Sequence, residues 1–172
     1  MASKIVEGIV GIFGSLTSIP FMKEIILFII SMCPMLELRG GLIAALILNM
    51  NPILSYIICI IGNIIPVPFI LWLITKILEW MRNSNSKNIN NVAKWLDKKV
   101  DKHKGQIEKY GYLGLVLFIA IPFPGTGAWT GCLIASVLDM DKKKSFLAAL
   151  LGIFISSIIM MIVLFGLLAN II

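Results

Sequence analysis

Two long stretches of the chain contain no charged residue. Residues 53–75 and 145–169 run for 23 and 25 residues, which corresponds to about 35 Å or more of α-helix. The hydrocarbon core of a bilayer is about 30 Å thick. Each stretch is therefore predicted to form a transmembrane helix.

Two other apolar regions are interrupted near their middle. The apolar arms beside each interruption are only 9 to 11 residues long, or about 13–17 Å of helix, so each arm reaches only half-way through the core. Proline removes a helix donor and glycine permits a tight reversal. These regions are predicted to form re-entrant helical hairpins over 24–50 and 112–138. The alternative is one kinked spanning helix in each region, which gives four crossings.

The placement of basic residues favours the hairpins. Nine lysines and arginines lie in segment 76–110, and Lys142–Lys144 follow the second interrupted region. If that region is re-entrant, all twelve lie on one face of the membrane, as the positive-inside rule prefers. This predicts that segment 76–110 and Lys142–Lys144 are cytoplasmic and that the C-terminus is outside.

The chain also contains an internal repeat. A shift of 90 residues gives ten identities in 36 positions without a gap, where composition alone gives about three. The predicted fold is an all-α integral membrane protein with an inverted-topology repeat, in which each copy is a re-entrant helical hairpin plus one transmembrane helix. Repeat 1 covers 22–75 and repeat 2 covers 111–172. Inverted repeats with broken helices are typical of transporters.

The remaining segments flank the repeats. Residues 1–21 are predicted to form an interfacial amphipathic helix with Ile5, Ile9, Ile12 and Leu16 on one face, or alternatively a short spanning helix. Segment 76–110 is predicted to be a basic cytoplasmic linker with an amphipathic helix that rests on anionic lipid. His103, within that helix, is expected to be solvated or packed.

Composition supports a lipid environment. Apolar residues make up 59% of the 172 residues, and charged residues 14%, compared with about 25% charged in soluble domains. The net charge of +6 could suggest nucleic acid, but its concentration beside apolar spans argues against a nucleic-acid partner. The chain contains one histidine, which is too few for a typical metal site, so no metal site is predicted. We also expect no cofactor and no enzymatic activity.

Charged residues mark the first break. Glu37 and Arg39 are the only charges between Glu24 and Lys76, and charges in lipid usually face a cavity or each other. The functional hypothesis makes Arg39 an anion-binding group and Glu37 a carboxylate that couples transport to a proton or cation. The alternative is an ion pair that only holds the hairpin tip.

The second break carries no charge. It offers the backbone amides of Gly125–Gly127, the hydroxyls of Thr126 and Thr130, and the Trp129 indole. Amides at a turn that opens a helix favour anions, so an anion cradle is predicted here. Asn63, Pro66 and Pro68 either line the same cavity or only kink the first spanning helix. The full set of predicted substrate-binding residues is Arg39, Gly40, Gly41, Asn63, Gly125, Thr126, Gly127, Trp129 and Thr130, with coupling at Glu37 and breaks at Pro34, Pro66, Pro68, Pro122 and Pro124.

Four of these segments resemble signatures of the small multidrug export protein family. They are residues 34–41, 62–68, 110–114 and 121–131, and the resemblance extends over about residues 20–165. The duplicated hairpin-plus-helix unit is also similar to the DedA (SNARE-associated, VTT) superfamily, although the additional acidic and arginine residues of the usual DedA tips are absent. This similarity implies the flipping of polyprenyl-phosphate lipids, often with proton coupling.

Three functions are therefore considered for a multi-pass protein of a prokaryotic plasma membrane. The first is a transporter whose hairpins meet at mid-membrane and move an anionic amphiphile such as a lipid phosphate. The second is a small multidrug exporter that exchanges cationic drugs for protons, with Trp129 as a cation–π surface. The third is a non-transporting scaffold. The expected partners are membrane lipids and a small amphiphilic substrate, and burial of the hairpins in protein favours a homodimer.

Overall fold

The computed structural model describes residues 6–8, 11, 21–84, 87–123 and 125–166. The regular elements within these ranges are all helical. In chain order they are α1 (Met22–Met32), α2 (Glu37–Ile47), α3 (Pro52–Ile64), α4 (Pro66–Arg82), α5 (Lys87–Ala120), α6 (Ala128–Val137), α7 (Lys142–Met161) and a π-helical turn (Ile162–Gly166). The apolar face predicted for the N-terminal helix (Ile5, Ile9, Ile12, Leu16) and the break residue Pro124 lie outside the described residues.

Two helical stretches are long and apolar enough to cross a membrane. They are Pro52–Met81, with 30 residues, and Lys142–Gly166, with 25 residues. The predicted span 53–75 lies wholly inside the first, and 145–169 lies inside the second as far as residue 166. The first helix continues beyond residue 75, and Leu78 is buried in this extension.

The outer faces of these helices are apolar. In α3, Ile53, Ile57 and Ile61 recur every four residues and are all exposed. In α7, Leu147 and Leu151 show the same spacing. Stripes of large exposed aliphatic side chains are unfavourable in water and are suited to contact with lipid.

The chain divides into two compact units. The first comprises the described residues up to Ile65 together with those from Ile153 onward, and the second comprises Pro66–Gly152. Pro66 is the first residue of α4, a position where its missing N–H costs no helical hydrogen bond.

In the first unit, the chain reverses direction between α1 and α2. Lys23, at the start of α1, donates from Nζ to the carbonyl oxygen of Leu48, just after α2 (3.3 Å). Near the other end, Gly41 of α2 lies so close to α1 that an added methyl group would collide with Ser31 Oγ. The two helices therefore form a hairpin. Gly62 of α3 packs on the same face of α1, where an added methyl group would lie 2.9 Å from the carbonyl oxygen of Phe28.

The second unit contains a similar hairpin between the end of α5 and α6. The amide of Asp141, beyond α6, donates to the hydroxyl of Tyr112 at the start of the α5 arm (3.1 Å). An added methyl group on Gly131 would lie 2.7 Å from Ile119, and one on Gly152 of α7 would meet the same side chain. Helices α6 and α7 therefore both pack against Ile119 through a glycine, in the same way that α2 and α3 pack against Ser31 in the first unit.

The ends of the two hairpins have matching backbone geometry 90 residues apart. Asn49 and Asp139 both have a left-handed backbone with φ of 49°. The next residue in each copy donates to a carbonyl five positions earlier, at 3.0 Å in both. Asn51 and Asp141 then cap the following helices through their side-chain oxygens.

The gap-free alignment of the repeat is wrong in the first arm. Gly41 packs on Ser31, and Gly131 packs on Ile119. The two glycines are 90 residues apart in the sequence, whereas the two residues on which they pack are only 88 residues apart. The same offset relates Phe28 and Val116, whose carbonyl oxygens face Gly62 and Gly152. The second break is therefore two residues longer than the first.

A reversal within α5 was not expected from the sequence. Gly111 has φ of 58° and ψ of −133°, which interrupts the helix. The rings of His103 and Phe118 meet at 5.4 Å between centroids, although a straight helix would separate these residues by about 22 Å. The amphipathic segment therefore folds back along the hairpin arm, with Val100 and Ile107 buried.

Candidate functional site

The first break closes around an unusual glutamate. Glu37 is the first residue of α2, and its amide donates to the carbonyl oxygen of Cys33 (2.9 Å). Its backbone is left-handed, with φ of 52°, although residues with a Cβ rarely adopt this conformation. Its side chain is only 5% exposed. The fold thus holds a carboxylate inside the first unit in a strained conformation.

Arg39 lies two residues further along α2 and is half-buried. It interacts electrostatically with Glu37. On a regular helix, residues two apart point in different directions, but the left-handed backbone at Glu37 removes that restriction. The two charged residues predicted for this site therefore interact in the structure. This interaction agrees with the functional hypothesis and equally with the alternative in which an ion pair only holds the hairpin tip.

Gly40 and Gly41 have a different role from the one expected. Both are buried. An added methyl group at Gly40 would lie 2.6 Å from Leu36 Cβ and 3.2 Å from Ile30. Gly41 is enclosed by Ser31 and Cys59. Both glycines therefore serve the packing of the helices, and neither presents an open surface.

Asn63 is buried in α3, with 1% of its surface exposed. Its side-chain oxygen Oδ1 has no hydrogen-bond partner among the described residues. A buried amide oxygen without a partner is costly, so this atom is available to a bound polar group. The neighbouring helix break is formed by Pro66, which is buried, and Pro68, which is half-buried.

The second break is held closed by Thr126. Its hydroxyl lies 2.8 Å from the carbonyl oxygens of both Ile121 and Phe123. Its amide also donates to the carbonyl oxygen of Phe123 (3.2 Å). The predicted anion cradle included this amide, which is engaged within the loop in the structure.

Two glycines complete this turn. Gly125 has φ of 94° and Gly127 has φ of 135°. Gly127 directly precedes α6 and supplies no side-chain cap. It corresponds to Glu37 at the shift of 90 residues, and both positions have positive φ.

The other predicted residues differ in their exposure. Trp129 is half-buried and Thr130 is buried in the first turn of α6, whereas Pro34 and Pro122 are exposed at the two breaks. Thr130 therefore lies inside the second unit. Within the described ranges, no group of three or more His, Cys, Asp or Glu side chains could hold a metal ion.

A cavity that the sequence did not reveal lies in the second unit. Its volume is about 430 Å³, and it extends from the folded-back helix to the hairpin tip. The only available signal was Gly111, which follows a helical pattern and precedes an apolar arm. The lining residues are His103, Tyr110, Gly114, Leu117, Phe118, Ile121, Phe123 and Thr126.

Comparison with known proteins identifies the family. The family model described as "Putative small multi-drug export protein" matches residues 37–159, or 123 of the 172 residues. The match begins at Glu37 and includes Arg39, Asn63 and the whole second break. No curated protein and no solved structure matches the chain. With two long apolar helices and this match over most of its length, the chain is a membrane protein that belongs to the small multi-drug export protein family.

Proposed function

We propose that this protein is a secondary transporter in which two re-entrant hairpins meet at mid-membrane. It moves an amphiphile with an anionic head group, such as a lipid phosphate. Arg39 binds the head group and Glu37 couples movement to a proton. Membership of an export family supports transport in general, whereas the substrate and the coupling rest on the two charged residues and on the resemblance to the DedA superfamily.

The observation that carries this proposal is the conformation and burial of Glu37. The corresponding residue of the second hairpin is Gly127, which adopts positive φ without a Cβ. A hairpin of this kind therefore needs no glutamate at this position. A buried carboxylate with a left-handed backbone costs on the order of 1–3 kcal/mol in backbone strain alone. A cost that the fold does not require points to a functional role.

The pairing with Arg39 suggests how coupling would work. A guanidinium group binds phosphate or carboxylate oxygens through two parallel hydrogen bonds. When an anionic head group engages Arg39, the positive charge acting on Glu37 is partly neutralised. Glu37 then accepts a proton more readily. Release of the head group restores the interaction and expels the proton, so proton and substrate occupancy are linked.

The topology belongs to the same proposal. Each unit contains one hairpin and glycine-mediated contact with a long apolar helix, which supports two copies of one architecture. An inverted arrangement would place segment 76–110 and Lys142–Lys144 together on the cytoplasmic face. The second break would contribute the amides of Gly125 and Gly127, since the Thr126 amide is engaged. A homodimer would cover the hairpins with protein.

The test is transport in proteoliposomes with a fluorescent lipid phosphate. We expect Arg39→Gln to slow transport at least about tenfold, because it removes a charge-assisted contact. Glu37→Gln should permit exchange but abolish its acceleration by a proton gradient. Glu24→Gln, which changes a half-buried carboxylate in the first turn of α1, is the matched control. Wild-type rates in both break variants, with both proteins folded, would contradict the proposal.

Export of cationic drugs is the second candidate. It is favoured by the family description and by the half-buried Trp129 at the start of α6. The same variants separate the two functions, because removal of the Arg39 charge should preserve or increase binding of a cation. A scaffold without transport predicts only effects on folding.

A further inference from the structure

The reversal at Gly111 forms a cavity whose lining does not include the charged residues of the first break. The amphipathic part of α5 folds back over the arm that leads to the second break, and the space of about 430 Å³ lies among these segments. Its volume falls within the range of small-molecule sites, which is about 300–1,000 Å³. Every lining residue belongs to the second unit.

The lining is strongly apolar and largely aromatic. Tyr110, Phe118 and Phe123 contribute rings, and the His103 ring packs edge-on against Phe118 at 5.4 Å. The Thr126 hydroxyl at the tip is already directed at two loop carbonyls. The walls are therefore suited to a hydrocarbon chain rather than to a polar molecule.

The rim has the opposite character. Lys109 places its ammonium group 5.3 Å from the centroid of the Tyr110 ring, which lines the cavity. Lys104 forms an ion pair with Asp101 (2.8 Å), and this hydrogen bond raises the pKa of Lys104.

The surrounding helix is also basic. Over residues 94–109, six lysines stand against three acidic residues. An apolar, aromatic cavity beneath a cationic rim complements a molecule with a hydrocarbon chain and a negatively charged end.

We propose that the cavity formed by the Gly111 reversal binds the hydrocarbon chain of an anionic amphiphile, and that Lys109 at its rim holds the acidic group. This site does not depend on Glu37 or Arg39, and its occupation does not require transport. A failure of the binding test below would leave the transport proposal intact, and a failure of transport would leave this site intact.

The test is photolabelling of the full-length protein in phosphatidylcholine nanodiscs. The probe is palmitic acid with a diazirine in its chain, and the matched probe carries an amine in place of the acid. We expect the acid probe to label peptides that contain residues 110–126, and unlabelled palmitate to compete. The amine probe should label these peptides at least about threefold less, because the rim repels it.

Two exposed phenylalanines provide a matched pair of variants. Phe123 lines the cavity and is 65% exposed, whereas Phe69 lies on α4 outside the cavity lining and is 63% exposed. Phe123→Ala should reduce labelling by the acid probe about threefold or more, and Phe69→Ala should not. If thermal unfolding shows that Phe123→Ala is destabilised, Leu117→Ala gives the same test at a second exposed lining residue.

The rim is tested separately. The variant Lys109→Gln should lose the preference for the acid probe over the amine while keeping label in the same peptides. The proposal is overturned if Phe123→Ala and Phe69→Ala label equally, if the two probes label wild type equally, or if label lies outside the cavity.

Discussion

The two hairpins have the same packing and different chemistry at their tips. In each, a glycine of the second arm packs against the first arm, and a glycine of the following long helix meets the same position. The first tip is short and carries a buried glutamate that interacts with an arginine. The second tip is two residues longer, uncharged, and closed by the Thr126 hydroxyl.

The difference separates the requirements of the architecture from those of function. Features shared by both tips are positive φ at the residue that opens the second arm and a glycine at the helix crossing. These features are explained by folding. The charges occur at one tip only, so the fold alone does not account for them, and the first tip is the better candidate for the transport chemistry.

The largest expected effect tests the shared packing. Gly41→Leu and Gly131→Leu each insert a side chain into a filled helix crossing and should each destabilise the protein by about 3 kcal/mol. Gly105→Leu is the control, because no atom lies within 4 Å of a methyl group added there. Thermal unfolding in detergent measures all three. If either crossing accepts leucine without a loss of stability, the two hairpins do not share this packing.

The next effect tests the residue that opens the second arm. Gly127 has φ of 135° and ψ of −174°, a region that only glycine occupies readily, so Gly127→Ala should cost about 1–3 kcal/mol. The same order is expected at position 37, where Glu37→Gly should be about 1 kcal/mol more stable than Glu37→Ala. Both Glu37 variants lack the carboxylate, so their difference in unfolding free energy reports the backbone alone. Equal stability would contradict the strain assigned to Glu37.

Sequence patterns predict those parts of the fold that depend on local periodicity. The charge-free stretch 53–75 appears within Pro52–Met81, and 145–169 appears within Lys142–Gly166 as far as residue 166. The short arms appear as α1, α2 and α6. The two-residue difference between the breaks could not be predicted, because identities such as Pro34 with Pro124 favoured a gap-free alignment. It is visible only in contacts such as those of Gly41 and Gly131.

The candidate site could be predicted where residue type alone marks a position, but not where the role of a residue depends on its three-dimensional contacts. Charge in an apolar region identified Glu37 and Arg39 directly. The packing role of Gly40 and the use of the Thr126 amide within its own loop depend on three-dimensional contacts that residue type does not specify. The cavity arises from one residue, Gly111, whose effect is to bring together His103 and Phe118, which are far apart in the sequence.

The smallest expected effect concerns closure of the second tip. Thr126→Val removes the hydroxyl that holds two carbonyls and should cost about 1–2 kcal/mol, whereas Thr126→Ser should retain most of this stability. Hydrogen exchange should accelerate at the amide of residue 126 in the valine variant only. Unchanged exchange would mean that the loop does not depend on this side chain.

In the proposed topology, the second broken region enters and leaves the membrane on the same side. Single cysteines at Lys98 and Lys143, on either side of that region, test it in intact cells and in inverted vesicles with a membrane-impermeant maleimide. A background with serine in place of the three native cysteines is required. We expect both positions to react from the cytoplasmic side only. Reaction of the two positions from opposite sides would show that the region spans the membrane and is not re-entrant.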